Sequence, residues 1–457
     1  MREISPRSFA PETSPGAPQA VDWLLTNAWI VTCDGAMSTF PDGALAISGD
    51  TLEAVGPVAE ITGRFRGIRE MDLGGHLVLP GLVNTHTHAA MSCFRGLADD
   101  LPLSEWLHHV IFPAEAAHVN ADLVYWGTLL AAAEMLLNGI TTFCDGYFFE
   151  EYAVRAALDA GIRGVLGQGI LDFPCPDQPH PKRARERAAA FLDAFPRDTD
   201  RLRPALFCHA PYTCSPETLQ WVKALCRESG ILFQTHLSET AGEAAELTKK
   251  YGERPVFFLD RLGILDANTL CAHGVWLEPG EIELLAERRV GLSHTAESNM
   301  KLGAGVAPIP ELLAARVKVG LGTDGCASNN NLDLFAEMDM VAKLHKVFRK
   351  DPLVCSAREV LGMATLGGAR AMAWDSEIGS LEAGKKADLI AIDLNQPHWT
   401  PCYEPVSHLV YAASGSDVRF VWVAGQLVVT HAELQTIDVP RTIREVQRLA
   451  DQIRRRG

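Results

Sequence analysis

Eight short apolar runs recur along this chain, each separated from the next by a stretch with helical patterning, and this alternation limits the fold more than any other feature. The runs are VLPGLVNTH (78–86), GITTFCDG (139–146), GIRGVLGQGI (161–170) and PALFCHA (204–210). ILFQTHL (231–237), TLCAHGV (269–275), RVGLSHT (289–295) and KVGLGTDG (318–325) complete the series. Their apolar residues are continuous and do not alternate with polar ones, so each strand is expected to be covered on both faces, as in a parallel sheet wrapped by helices. Helices are expected between them, for example over 122–137, 216–229 and 279–288. Eight such units close into an α/β architecture, the (β/α)8 TIM-type barrel.

A barrel takes roughly 250 residues, so a chain of 457 has room for an accessory unit. Residues 21–78 read as short strands joined by turns, and connections of hairpin length imply antiparallel pairing. The same texture returns at 387–394 and 417–430, where Gly425 marks a turn. The expected organisation is a flexible extension over 1–20, a small β-sandwich composed of 21–78 and 378–436, a (β/α)8 barrel over 79–377, and a C-terminal helix over 437–457.

A formal net charge of -16 opposes binding to a phosphate backbone, and the basic run Arg454, Arg455 and Arg456 reads as a solvated helix end, so no nucleic-acid partner is expected. The first twenty residues contain no apolar core of a signal peptide, and no stretch reaches the roughly 18 apolar residues of a membrane span. Eleven cysteines without a CxxC pair point to reduced thiols in the cytoplasm.

The chemistry is legible in where polar residues interrupt the apolar runs. His86, His88, His209, His236, His273, His294 and Asp324 all fall at or just past the C-terminal end of a run, the face on which barrel enzymes place their active sites. His86 and His88 are two residues apart, so on an extended strand both imidazoles point to one side and can share an ion. Alone, such a pair equally describes two polar residues near a strand end. With His236 and Asp324 it becomes a mixed imidazole and carboxylate set that suits zinc or ferrous iron better than magnesium or calcium. Glu239 reads either as a catalytic acid or as a carboxylate at a helix N-terminus. His273 reads either as a site residue or as a strand-end cap. Ser298, Asn299 and Lys301 either shape a pocket or belong to a capped loop.

The segments PGLVNTHTH, THLSET, CAHG, HTAESNMKL and GTDGCASNN together resemble the amidohydrolase superfamily and, within it, the cytosine-, guanine- and adenosine-type aminohydrolases. FRGLADDLPLSEWL (94–107), FPAEAAHV (112–119) and GTDGCASNNNLDLFAEM (322–338) are most similar to the 5-methylthioadenosine/S-adenosylhomocysteine deaminases. The resemblance implies one divalent ion, zinc before iron, on His86, His88, His236 and Asp324. It further implies Glu239 as proton shuttle, His273 beside the attacking water and Asp324 as the acceptor of that water's proton. Glu115 would meet ribose hydroxyls, His209 a purine ring nitrogen, Trp106 an apolar face of the substrate, and Arg183, or else Arg185 or Arg187, the substrate tail. Family members with two bridged metals carry a lysine where His209 stands, so a single ion is implied. The reaction implied is replacement of the 6-amino group of an adenosine derivative by oxygen with release of ammonia, in a homo-oligomer that binds a small molecule. The alternatives are an s-triazine or other N-heterocycle hydrolase, a guanine-type deaminase, and a non-catalytic barrel subunit.

Overall fold

The computed structural model describes residues 18–456. The extension expected over 1–20 falls outside this range for residues 1–17, and Gln19 and Ala20 already belong to the first strand. Five strands precede the barrel: β1 (Gln19–Val31), β2 (Thr39–Ser48), β3 (Thr51–Pro57), β4 (Phe65–Asp72) and β5 (His76–Pro80). The barrel strands are β6 (Leu82–Thr87), β7 (Ile140–Tyr147), β8 (Arg163–Ile170) and β9 (Leu202–Cys208), then β10 (Leu232–Leu237), β11 (Thr269–His273), β12 (Gly291–His294) and β13 (Lys318–Leu321). After them come β14 (Leu389–Asp393), β15 (Val418–Val423), β16 (Gln426–Thr430) and β17 (Glu433–Leu434).

Strands β6 to β13 close into a parallel barrel in sequence order, with β13 returning to β6. Helices fill the connections where the patterning places them. The helix Pro216–Ser229, for instance, starts from Ser215, whose hydroxyl accepts from Thr218 N–H, has proline at its first position, and stops at Gly230 in the left-handed conformation. The first apolar run differs from expectation, because it is two strands belonging to two sheets. The break is at Gly81, where an added Cβ would lie 2.0 Å from Thr141 Oγ1, so only glycine lets the chain pass from β5 into the barrel.

The remaining nine strands form one sheet drawn from both chain ends, ordered β17-β16-β15-β14-β5-β1-β2-β3 with β4 beside β1. Most neighbours are antiparallel, but β1 pairs in parallel with β4 along its first half and with β5 at its end. Connection length explains the difference. The helix Val58–Arg64 separates β3 from β4 and supplies a crossover that a hairpin cannot. The sheet curls so that Trp23 of β1 meets Trp422 of β15 edge to face at 6.1 Å, enclosing Leu25, Ile47, Val78 and Leu389. No helix among the described residues is long and apolar enough to cross a membrane.

Two polar features hold this arrangement together. At the closing seam the backbone ladder places Leu321 opposite Asn84. Side chains reinforce it: Asn84 donates to Thr323 Oγ1 at 2.8 Å, Thr323 N–H donates back to Asn84 Oδ1 at 3.1 Å, and Thr85 donates to the Leu321 carbonyl at 2.8 Å. Between barrel and terminal sheet, the fully buried Arg163 of β8 meets Asp388 through two bonds of 2.5 and 3.1 Å, and Asp388 also accepts from Ala424 N–H at 2.7 Å. Removing one partner of such a pair leaves an uncompensated buried charge. Arg163→Ala is therefore expected to lower unfolding free energy by about 3–5 kcal/mol, read as an earlier denaturant midpoint, and a joint Arg163→Met/Asp388→Leu change is expected to cost less than the single one.

Candidate metal centre

The two imidazoles of β6 lie on one side of the strand with ring centroids 4.9 Å apart, while the intervening Thr87 hydroxyl donates to the Asp324 carbonyl at 3.1 Å. Asp324 follows β13 across the seam. Its Oδ1 lies 3.5 Å from Nε2 of both His86 and His88. From β10, His236 brings its Nε2 to 3.2 Å from His86 Nε2. His86, His88 and Asp324 form one group whose donor atoms lie within 4.8 Å of one another, and His86, His236 and His273 form a second. Sharing His86, the two groups describe a single centre.

The donor chemistry fits a divalent cation. Burial and the neighbouring imidazoles hold His236 well below its usual range, and burial pushes His86 down to about 4, so both are neutral and offer lone pairs. Burial would raise Asp324, but the His86 hydrogen bond and the charges of His86, His88 and His273 outweigh it and keep the carboxyl well below its ordinary value. His88 donates from Nδ1 to the Gly146 carbonyl at 2.7 Å, which fixes the ring and leaves Nε2 for the centre. Asp324 Oδ2 accepts from Ser298 and Ser328 hydroxyls at 2.6 and 2.9 Å.

Glu239 sits in the turn after β10, where Ser238 adopts a left-handed φ of 50°. The buried Glu243 carboxylate accepts from the Ser238 and Glu239 N–H groups at 2.9 and 2.8 Å and so holds that turn. Glu239 Oε2 lies 3.9 Å from His273 Nε2. Burial raises the Glu239 carboxyl, with His273 opposing and Asp324 assisting. Burial works against protonation of His273, in contrast, but Glu239, Asp324 and the bond to Asn299 carry it above its usual value. His273 Nδ1 is 3.0 Å from Asn299 Oδ1 and 2.9 Å from Thr295 Oγ1. His273 and Asp324 have left-handed φ values of 75° and 60°. Together with Ser238 they make three such positions at one site, which is where backbone strain is characteristically stored.

A cleft of about 920 Å³, open to solvent, rises from this floor. His88, His236, His273, Asp324 and Glu239 line its base, and Glu115, His209 and Trp106 line it as well. Glu115 accepts from Tyr147 Oη at 2.6 Å, and burial pushes its carboxyl up to about 7 against that bond. His209 is anchored through Nδ1, 3.0 Å from Thr213 Oγ1, and burial drives it down to about 3. Trp106 is buried and also walls the cleft, and its indole donates to the Ala98 carbonyl at 3.1 Å.

Other expected residues stand elsewhere. Arg183 is not among the cleft-lining residues; its side chain is 68% exposed and pairs with Glu186 one helical turn on. His294 turns to the outer layer of the barrel, with Nε2 3.1 Å from His345 Nε2. Lys301 ties Asp99 to Asn330 above the barrel. Several contributors carried no signal of their own: Ser328, Tyr147, Glu243, Thr295 and Glu337, whose carboxylate accepts from the Ala296 and Glu297 N–H groups. That last contact fixes the start of the helix Ala296–Lys301, which bears Ser298 and Asn299.

The amidohydrolase family model matches residues 77–428. A 5-methylthioadenosine/S-adenosylhomocysteine deaminase of Syntrophobacter fumaroxidans is 47% identical over 433 residues, covering 95% of this chain and 98% of that one. A zinc-bound adenosine deaminase structure from Xanthomonas campestris superposes with a TM-score of 0.93 at 37% identity, covering 96% of this chain and all of the other. An atrazine chlorohydrolase from Arthrobacter aurescens, complexed with zinc, shares the fold at a TM-score of 0.87 and 24% identity, over 94% of this chain and 100% of that one.

The clasp on Ser238 and Glu239 can be tested directly. In Glu243→Gln the amide nitrogen replaces an acceptor opposite a backbone N–H, so Glu239 loses its fixed position. Turnover is expected to fall roughly 10- to 100-fold, in line with displacement of a positioned group, with bound metal retained when measured by elemental analysis.

Proposed function

Because the chain belongs to the amidohydrolase family, we propose that it is a hydrolytic deaminase that converts the 6-amino group of an adenosine derivative to a 6-oxo group. It is a hydrolase of C–N bonds in cyclic amidines, and zinc-bound neighbours share its fold. The observation that carries the reading is the convergence of His86, His88, His236 and Asp324 at the floor of a cleft that also presents Glu239 and His273.

His86, His88, His236 and Asp324 would hold one divalent ion, zinc by preference for this donor set. When bound, such an ion supplies the Lewis acidity that makes hydroxide available near pH ~7. Asp324 accepts the proton of the attacking water while its Oδ2 is steadied by Ser298 and Ser328. Glu239, whose carboxyl burial keeps protonated more readily than usual, donates to the ring nitrogen next to C6 and recovers a proton from the C6 hydroxyl as it becomes the 6-oxo group, while the proton held by Asp324 passes to the departing amine. His273, fixed through Nδ1, directs Nε2 towards Glu239 and stabilises charge as C6 becomes tetrahedral. The C6–N bond breaks, C6 takes the water oxygen, and ammonia leaves.

Away from the floor, Glu115 accepts the ribose hydroxyls. Its Tyr147 bond occupies one oxygen and leaves the other free for the sugar. His209 meets the purine through Nε2, since Nδ1 is engaged by Thr213.

Chelation followed by dialysis is expected to abolish deamination, and stoichiometric zinc to restore it. Glu239→Gln should lower kcat by about 10²–10⁴ while metal content stays unchanged. Glu115→Ala should cut kcat/KM for nucleosides severely, as followed by loss of adenine absorbance. An unchanged rate in that variant would refute the nucleoside assignment and favour another N-heterocycle.

A further inference from the structure

The outer cleft has a chemistry unlike its floor. We propose that it selects adenosine derivatives with an uncharged, apolar 5′ substituent, such as a short alkylthio group, and excludes those whose 5′ chain ends in an amino acid. The proposal rests on the deaminase reading above and specifies which members of that substrate class are accepted.

With C6 of the purine at the metal floor, the ribose points away from it and the 5′ substituent reaches furthest towards the mouth. Glu115, assigned to the ribose, shares a face of the helix Phe112–His118 with Phe112, three residues earlier. The Phe112 ring lies 6.3 Å from His209 and 6.0 Å from Phe173 at the mouth, so an apolar wall continues from the base-binding region outward. Leu103, Leu107, Leu171 and Pro174 extend that wall.

No lysine or arginine lines the cleft among the described residues, and its carboxylates are Glu115, Glu239 and Asp324. The nearby cations are committed elsewhere. Arg187 is held by Glu151 and by Asp177, and Asp177 in turn accepts from Gln168 and from Phe149 N–H. The Arg185 guanidinium lies over the Trp221 ring at 5.2 Å, and Arg183 pairs with Glu186 in solvent. An α-carboxylate entering this cleft would lose its water without gaining a cation, and would meet like charge on Glu115. A methylthio or butylthio group would instead bury apolar surface against Phe112 and Phe173.

The test uses the zinc-loaded full chain and three substrates: 5′-methylthioadenosine, 5′-butylthio-5′-deoxyadenosine and S-adenosylhomocysteine. The butylthio compound matches the homocysteine chain in length but lacks its charges. The expected result is kcat/KM for the two thioethers within about tenfold of each other, and for S-adenosylhomocysteine at least roughly a hundredfold lower. Comparable turnover of S-adenosylhomocysteine and 5′-methylthioadenosine would overturn the proposal. So would a butylthio compound as poor as S-adenosylhomocysteine, since length and not charge would then be excluded. Both of these outcomes leave the deaminase reading intact, whereas no deamination of any of the three would remove that reading and this proposal with it.

Discussion

The Asp324 carboxylate is buried at the end of the last barrel strand, where desolvation opposes its charge and the imidazoles of His86, His88 and His273 restore it. Gly325 N–H bonds its Oδ1 and the Ser298 and Ser328 hydroxyls bond its Oδ2, while Oδ1 still faces Nε2 of His86 and His88. Because its backbone also bonds across the seam, N–H to the His86 carbonyl at 3.0 Å, the same residue closes the barrel and orients the donor set. The metal centre and the integrity of the fold therefore depend on one local geometry.

Buried carboxylates serve as scaffolding around that centre. Glu243 clasps two successive N–H groups of the turn bearing Glu239, and Glu337 clasps two at the start of the helix bearing Ser298 and Asn299. Burial pushes Glu243 up to about 7 and Glu337 well above its usual value, and the amide bonds counter this only in part. Such groups add little to global stability as ions. Their contribution is to hold strained positions, Ser238 among them, that strands and helices do not provide.

The cleft divides its tasks by depth. Polar and charged groups are gathered at the floor, where the chemistry needs directed donors and acceptors. The mouth is lined by apolar side chains such as Leu103, Leu107, Phe112 and Phe173. Since the floor comes from strand ends and the mouth from connecting segments such as Phe112–His118 and Phe173, one can change without the other.

The amino-acid sequence by itself determined the barrel and the convergence at its mouth. Continuous apolar runs alternating with helical stretches read as strands covered on both faces, and polar residues that end such runs fall at the open end of the barrel, which made His86, His88, His236, His273, Asp324 and also His294 candidates before any coordinates. Local pattern has no access to contacts between distant segments, and those were decided by tertiary structure. Tertiary structure split the first run at Gly81 between two sheets, because the space beside Thr141 admits no side chain. It turned β1 parallel to β4 through an intervening helix, and sent His294 to the outer layer against His345. It also tied Arg183 to Glu186 in solvent, so that no lysine or arginine among the described residues lines the cleft. Residue type and spacing report which groups reach the end of a strand; which partner each then finds depends on packing across the whole chain.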